Sequence, residues 1–295
     1  MENIGRYRTE SVLGSGAIAT VWLAHDDDLN AAVAIKVLAD KWAKDEDIRR
    51  RFIAEARILS QADSPHIVAI HRVAELEDGR PYIVMALADR GSLDDRLRQR
   101  ALDRRQFTVE EACLMSKDIA SGLQAAHALG VVHRDLQPSA VLFRTDPAGG
   151  SADDEIVMLA DFGIAEAKAK TTIGTGAPPY MAPEQGEGRG DERTDLYRAG
   201  VILYELLAGR VPYAFDSLPA VVKAQAAGPP VEITLLRPDV PPALASALGR
   251  VLSHDPADRH DSAAEWKQAL VRAEETPGPV GSPPHAAKEG PYPRG

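Results

Sequence analysis

Cysteine is almost absent. The one thiol among 295 residues, Cys113, excludes an internal disulfide. Its setting in Glu111-Ala112-Cys113-Leu114-Met115 points to a buried core thiol in a reducing cytosol. Positive charge is in deficit: 34 Lys and Arg against 44 Asp and Glu give a net charge of −10, which argues against nucleic acid or an anionic membrane as the main partner. Long hydrophobic runs are missing as well. The most apolar long segment, 196–208, is interrupted by Arg198 and Glu205, and Met1-Glu2-Asn3-Ile4-Gly5-Arg6 has no apolar signal core, so no bilayer-spanning segment is expected. Aromatics supply only 5% of the residues, yet hydrophobic residues reach 44%, enough to bury a core in one large or two small domains.

What is present changes character along the chain. Up to about Met85, alternating and β-branched runs predict strands over 7–13, 19–25, 33–38, 67–75 and 80–85, with one helix over 47–60 that turns Phe52, Ile53, Ala56 and Leu59 to one side. Beyond Ala88, helical periodicity predicts helices over 93–100, 109–129, 194–208, 220–227, 242–252 and 262–272, with two short strands over 141–143 and 156–159. The expectation is α+β: a strand-rich lobe (about 1–86), a connector at 86–89 and a helix-rich lobe (about 90–275) in one domain over 1–275. Asp146 to Asp154, with Pro147, Gly149 and Gly150, reads as a solvated surface loop. Residues 276–295 are rich in Pro and Gly and nearly devoid of apolar side chains, so a disordered tail is expected.

Four stretches carry chemistry. In Leu13-Gly14-Ser15-Gly16-Ala17-Ile18-Ala19-Thr20-Val21, between two predicted strands, the glycines let backbone amides approach phosphate oxygens, although an isolated Gly-x-Gly is more often a plain hairpin. Val33-Ala34-Ile35-Lys36 puts a lysine on the following strand, and Glu55 lies on the helix after it. His133-Arg134-Asp135-Leu136-Gln137-Pro138-Ser139-Ala140 and Asp161-Phe162-Gly163 each bring a carboxylate, on either side of a predicted hairpin.

Together, in this order and spacing, they resemble the eukaryotic-like Ser/Thr protein kinases of bacteria, over roughly residues 7–272. Ala182-Pro183-Glu184 matches the A-P-E segment, which small-molecule phosphotransferases of related fold generally lack. The resemblance implies a bilobed kinase fold with a small antiparallel sheet lobe, ATP and Mg²⁺ (or Mn²⁺) as cofactors, and protein Ser/Thr hydroxyls as acceptors; a homodimer is compatible with it. It implies that Lys36 pairs with Glu55 and holds the α/β-phosphates, that Asp161 binds the metal and that Asp135 accepts the hydroxyl proton. The adenine would be sandwiched by Val21, Ala34 and Leu142, past the gatekeeper Met85, against backbone groups of Ala86 and Ala88, with Leu13, Gly14 and Gly16 of the Gly-rich loop also binding the cofactor. Glu184 would pair with Arg259, Asp195 would brace the catalytic loop, and His133 would pack under Phe162 and Leu59 rather than act as a base. Arg134 would bind a phosphate on the activation segment, with Thr171, Thr172 and Thr175 as candidate acceptors.

The match is incomplete. Ala19 stands at the third glycine of the loop, Gln137 where a lysine usually reaches the transferring phosphate, and Ala140 where an Asn holds a second Mg²⁺. Aligned without gaps, Ala177 falls where a Thr contacts the catalytic Asp, whereas Gly174-Thr175 with two extra residues would retain it. Phosphoryl transfer relies on placement and charge neutralisation, so two readings follow: a slowed kinase, or a pseudokinase that serves as an interaction module.

Overall fold

The computed structural model describes residues 3–149, 151, 154–162 and 178–275. The first lobe is a six-stranded antiparallel sheet in the order β1-β2-β3-β4-β6-β5, built from Asn3–Ile4 (β1), Tyr7–Ser15 (β2), Ala19–Asp26 (β3), Ala31–Leu38 (β4), Ile70–Glu75 (β5) and Pro81–Ala86 (β6). Strand β4 is central and Val33 to Leu38 are all buried, which is why this strand reads as a continuous apolar run around Lys36. Helix α1, Glu46–Leu59, begins at Asp45, whose carboxylate accepts the Ile48 amide at 3.0 Å. It buries Ile48, Phe52, Ala56 and Leu59. That 4-4-3 spacing displaces Ile53 from the expected stripe and puts Ile48 into it.

The second lobe packs around helix α4, Glu192–Ala208, buried along most of its length. Against it lie α3 (Val109–Ala128), α7 (Pro242–Val251) and α8 (Ala263–Glu275); α2 (Leu93–Leu102), α5 (Leu218–Ala227) and the short α6 (Ile233–Leu236) complete the lobe. Helix α3 opens on a capping box between Thr108 and Glu111. Two glycines permit close helix packing: a Cβ at Gly122 would come 2.5 Å from the His66 carbonyl, and one at Gly200 would come 2.5 Å from Val251 Cγ1.

The hairpin of β7 (Val141–Thr145) and β8 (Glu155–Leu159) separates the catalytic loop from Asp161. Its far strand is tied to the first lobe, since Val68 N donates to Leu159 O at 3.0 Å and Leu159 N to His66 O at 2.9 Å. The strand expected from residue 67 therefore begins at Ile70, because 67 and 68 are used in this inter-lobe junction. No helix among the described residues is long and apolar enough to cross a membrane. The expected tail over 276–295 falls outside the described residues.

Candidate active site

Between the lobes lies a cavity of about 670 Å³ whose lining includes Leu13, Gly14, Gly16, Val21, Ala34, Lys36, Met85, Ala86, Ala88, Asp135, Leu142 and Asp161. All the residues the sequence assigns to cofactor binding thus meet on one surface. A smaller inner cavity adjoins it, sharing Ile18, Lys36, Val68, Met85, Ala160 and Asp161 and adding Glu55 and Phe162.

Lys36 is placed by β4, and its Nζ donates to Asp161 Oδ1 at 2.7 Å. The lysine expected on Glu55 therefore sits on Asp161, and among the described residues no ion pair joins Lys36 to Glu55. Burial raises the Glu55 carboxyl above its ordinary value, against the attraction of Lys36, Arg134 and Arg51. As α1 is seated, Glu55 lies near these cations but forms no ion pair with them among the described residues, a detail that residue spacing alone cannot fix.

The catalytic loop is held from below. Asp195, at the start of α4, accepts His133 N on Oδ2 and Arg134 N on Oδ1, both at 2.7 Å, and His127 Nε2 at 2.8 Å. This is the expected brace. His133 Nε2 donates to Ala160 O at 2.9 Å, and the ring lies 4.4 Å from that of Phe162, which shares a core cluster with Leu59. Burial pushes the His133 pKa down, so the ring is neutral and structural. Arg134 and Asp161 have φ of 61° and 60°, in the left-handed region that costs a non-glycine residue on the order of 1 kcal/mol or more. Both strained positions flank the chemistry.

Glu184 and Arg259 form the expected pair, bidentate at 2.8 Å for both bonds. Sequence reasoning assigned no role to Arg198. It interrupts the apolar run of α4, and its Nη2 lies 3.1 Å from Asp135 Oδ1. The interruption at residue 198 was the available signal. Its twin, Glu205, is bound by the Tyr180 hydroxyl at 2.5 Å.

The cleft suits a nucleotide: apolar walls, a cation and a carboxylate at its inner end. For the metal, Asp161 supplies an oxygen, while Ala140, 2% exposed on the cavity wall, supplies none from its side chain. No cluster of three or more ligating side chains occurs among the described residues. This donor set fits a Mg²⁺ completed by phosphate and water oxygens better than one caged by protein. Thr171, Thr172, Thr175 and Ala177 lie outside the described residues.

Comparison with known proteins agrees. The protein kinase domain family matches residues 7–269. The serine/threonine-protein kinase PknJ of Mycobacterium tuberculosis is 37% identical over 275 residues, covering 90% of this chain and 45% of PknJ. PksC of Streptomyces coelicolor, also a serine/threonine-protein kinase, is 32% identical over 272 residues, covering 91% of this chain and 49% of PksC. The crystal structure of the Mycobacterium tuberculosis PknI kinase domain superposes with a TM-score of 0.71 at 28% identity, covering 92% of this chain and 97% of that one. The chain belongs to the protein kinase domain family and has its bilobed fold. It spans about half the length of the curated relatives it matches.

Proposed function

We propose that this chain is an ATP-dependent protein Ser/Thr kinase domain of reduced rate, working on protein hydroxyls in a reducing cytosol. The observation that carries the reading is the convergence of Lys36, Asp135 and Asp161 on one cleft with apolar walls. Leu13, Val21, Ala34 and Leu142 enclose the purine past Met85. Ala86 addresses it through its carbonyl, since its amide is engaged by Ala69 O at 2.9 Å, and Ala88 through its backbone. Lys36 binds the α/β-phosphates and Glu55 lends it charge when α1 turns inward. Asp161 would hold one Mg²⁺, which when bound neutralises charge on the phosphates. Asp135 orients the acceptor hydroxyl and takes its proton as the Oγ–P bond forms and the bond to the β–γ bridging oxygen breaks, releasing ADP. Gln137 adds a hydrogen-bond donor without charge. Losing one such preorganised group lowers the rate about a hundred- to a thousand-fold, and losses within one unit do not simply add, so turnover is slow rather than nil.

Arg134, next to Asp135, receives a phosphate on Thr171, Thr172 or Thr175, and an unmodified mass for that peptide after incubation with ATP would count against this. Labelled ATP with Mg²⁺ or Mn²⁺, beside an Asp135→Asn control, tests the reading as a whole: label in the parent alone supports it, and equal label in both refutes it. The absence of a side-chain oxygen at Ala140 favours a second reading, a pseudokinase. That reading expects nucleotide binding, or none, without transfer.

A further inference from the structure

Helix α4 buries one cation with no role in the proposed chemistry so far. Arg198 is 1% exposed and lies between Tyr197 and Ala199, both buried. Burial pulls the guanidinium pKa down while Asp135, Asp195 and Tyr180 push it up, and a guanidinium so surrounded stays protonated. Such a charge needs partners, and each donating nitrogen has one. Nη2 meets Asp135 Oδ1 at 3.1 Å, Nε donates to Leu136 O at 2.8 Å, and Nη1 to Gln185 Oε1 at 2.9 Å. Gln185 in turn donates Nε2 to Arg134 O at 2.9 Å and accepts Ala182 N at 3.1 Å. One planar fork therefore ties Asp135 and Leu136 directly, and Arg134 and Ala182 through Gln185, to the helix below them.

The placement is specific. Arg198 follows Asp195 by three residues, so both point from the same face of α4 into the same loop. Asp195 fixes the backbone of His133 and Arg134, and Arg198 fixes the side chain of Asp135. The charge missing at Gln137 would have stood on the cleft side of that loop, whereas the charge of Arg198 stands on its core side.

Resting on the kinase reading above, we propose that Arg198 is a positioning residue for phosphoryl transfer. It orients the Asp135 carboxylate toward the acceptor hydroxyl and supplies, from the core side, a fixed positive charge against Asp135 where Gln137 brings none. Because Arg198 reaches the base and not the nucleotide pocket, its removal should lower kcat without weakening ATP. A base released from its anchor by about an ångström loses on the order of a hundred-fold in rate.

The test compares the parent chain with Arg198→Met and Arg198→Lys for transfer of labelled phosphate at saturating and varied ATP, with thermal unfolding of each. The expected result is a kcat about a hundred-fold lower for Arg198→Met at unchanged KM for ATP. Arg198→Lys should recover part of the rate, since it keeps the charge but not the fork. Parental kcat in Arg198→Met, or a fall in kcat no larger than the loss of folded fraction, overturns the proposal. Should Arg198→Met fail to fold, Arg198→Lys decides alone: lowered kcat at parental KM supports the role, parental kcat refutes it. A parent that transfers no label under any condition defeats the kinase reading and takes the positioning role with it. A transferring parent with indifferent Arg198 variants defeats the positioning role alone.

Discussion

Replacing Glu184 by Gln removes half of a buried, fully satisfied ion pair in the helical lobe. Arg259 has five N–H groups and meets five acceptors: Glu184 Oε1 and Oε2, Ser253 O, Arg193 O and His254 O, at 2.8 to 3.2 Å. Glu184 also accepts the Thr194 hydroxyl at 2.7 Å. Both side chains are buried, so Glu184→Gln leaves a guanidinium without its counter-charge, and breaking a buried pair from one side costs about 3–5 kcal/mol. At about 2–4 °C per kcal/mol for a domain of this size, the melting temperature should fall by roughly 6–20 °C. Urea unfolding of parent, Glu184→Gln, Arg259→Met and the double variant would measure it. The double variant should cost less than the two singles summed, because it leaves no orphaned charge. The pH dependence has a definite sign. Burial raises the Glu184 carboxyl, but the hydrogen bond and charge of Arg259 and the bond from Thr194 outweigh it and hold the pKa below the ordinary 4.5. Its stabilisation is therefore fully present above that value and is lost as pH falls through the lower folded value, so the gap between parent and Glu184→Gln should close in acid. A loss under about 1 kcal/mol, or additive singles, would refute the reasoning.

Ala140→Asn with Gln137→Lys returns an oxygen and a cation to the cleft wall, which both residues line, and should raise labelled-phosphate transfer at least ten-fold on the scale of one preorganised group; no gain would show that these positions do not limit the rate. ATP with Mg²⁺ at a hundred times its dissociation constant should stabilise the parent by about 2.7 kcal/mol, read as a thermal shift. The shift should shrink in Lys36→Met, which loses the ammonium bound to Asp161, and an equal shift in both would remove Lys36 from the site. Gly122→Ala drives a Cβ to 2.5 Å from the His66 carbonyl and into Leu159, and should cost about 1–3 kcal/mol in urea unfolding, whereas Gly130→Ala, with open space around it but a φ of 72°, should lose stability by backbone strain alone.

The sequence reveals what is local. Gly14 and Gly16, Val33 to Lys36, and the Asp135 and Asp161 motifs are legible because each is a short pattern whose chemistry depends on adjacent residues. Helices α1 and α7 are legible because their apolar period is strong. Strand β1, of two residues, and α6, of four, are too short to carry a period, and tertiary packing alone holds them. Residue 67 continues the apolar run toward β5 but pairs with Leu159 in an isolated bridge, so the pattern extends past the strand it predicts.

What decides the state of the site is long-range. Lys36 and Asp161 are 125 residues apart, His133 and Asp195 are 62, and Asp135 and Arg198 are 63. The first departs from the pairing with Glu55 because the seat of α1 on the sheet is set by tertiary packing of Ile48, Phe52, Ala56 and Leu59, which no local motif specifies. The last was unreadable for a different reason. A cation inside an apolar helix announces that a partner exists, since an unpaired buried charge is too costly to keep, but not which of the chain's 44 carboxylates it meets. Here the partner is the base itself. The substitutions at Gln137 and Ala140 therefore cannot be weighed from the catalytic loop alone, because part of the electrostatics of that loop is supplied by α4, about sixty residues later.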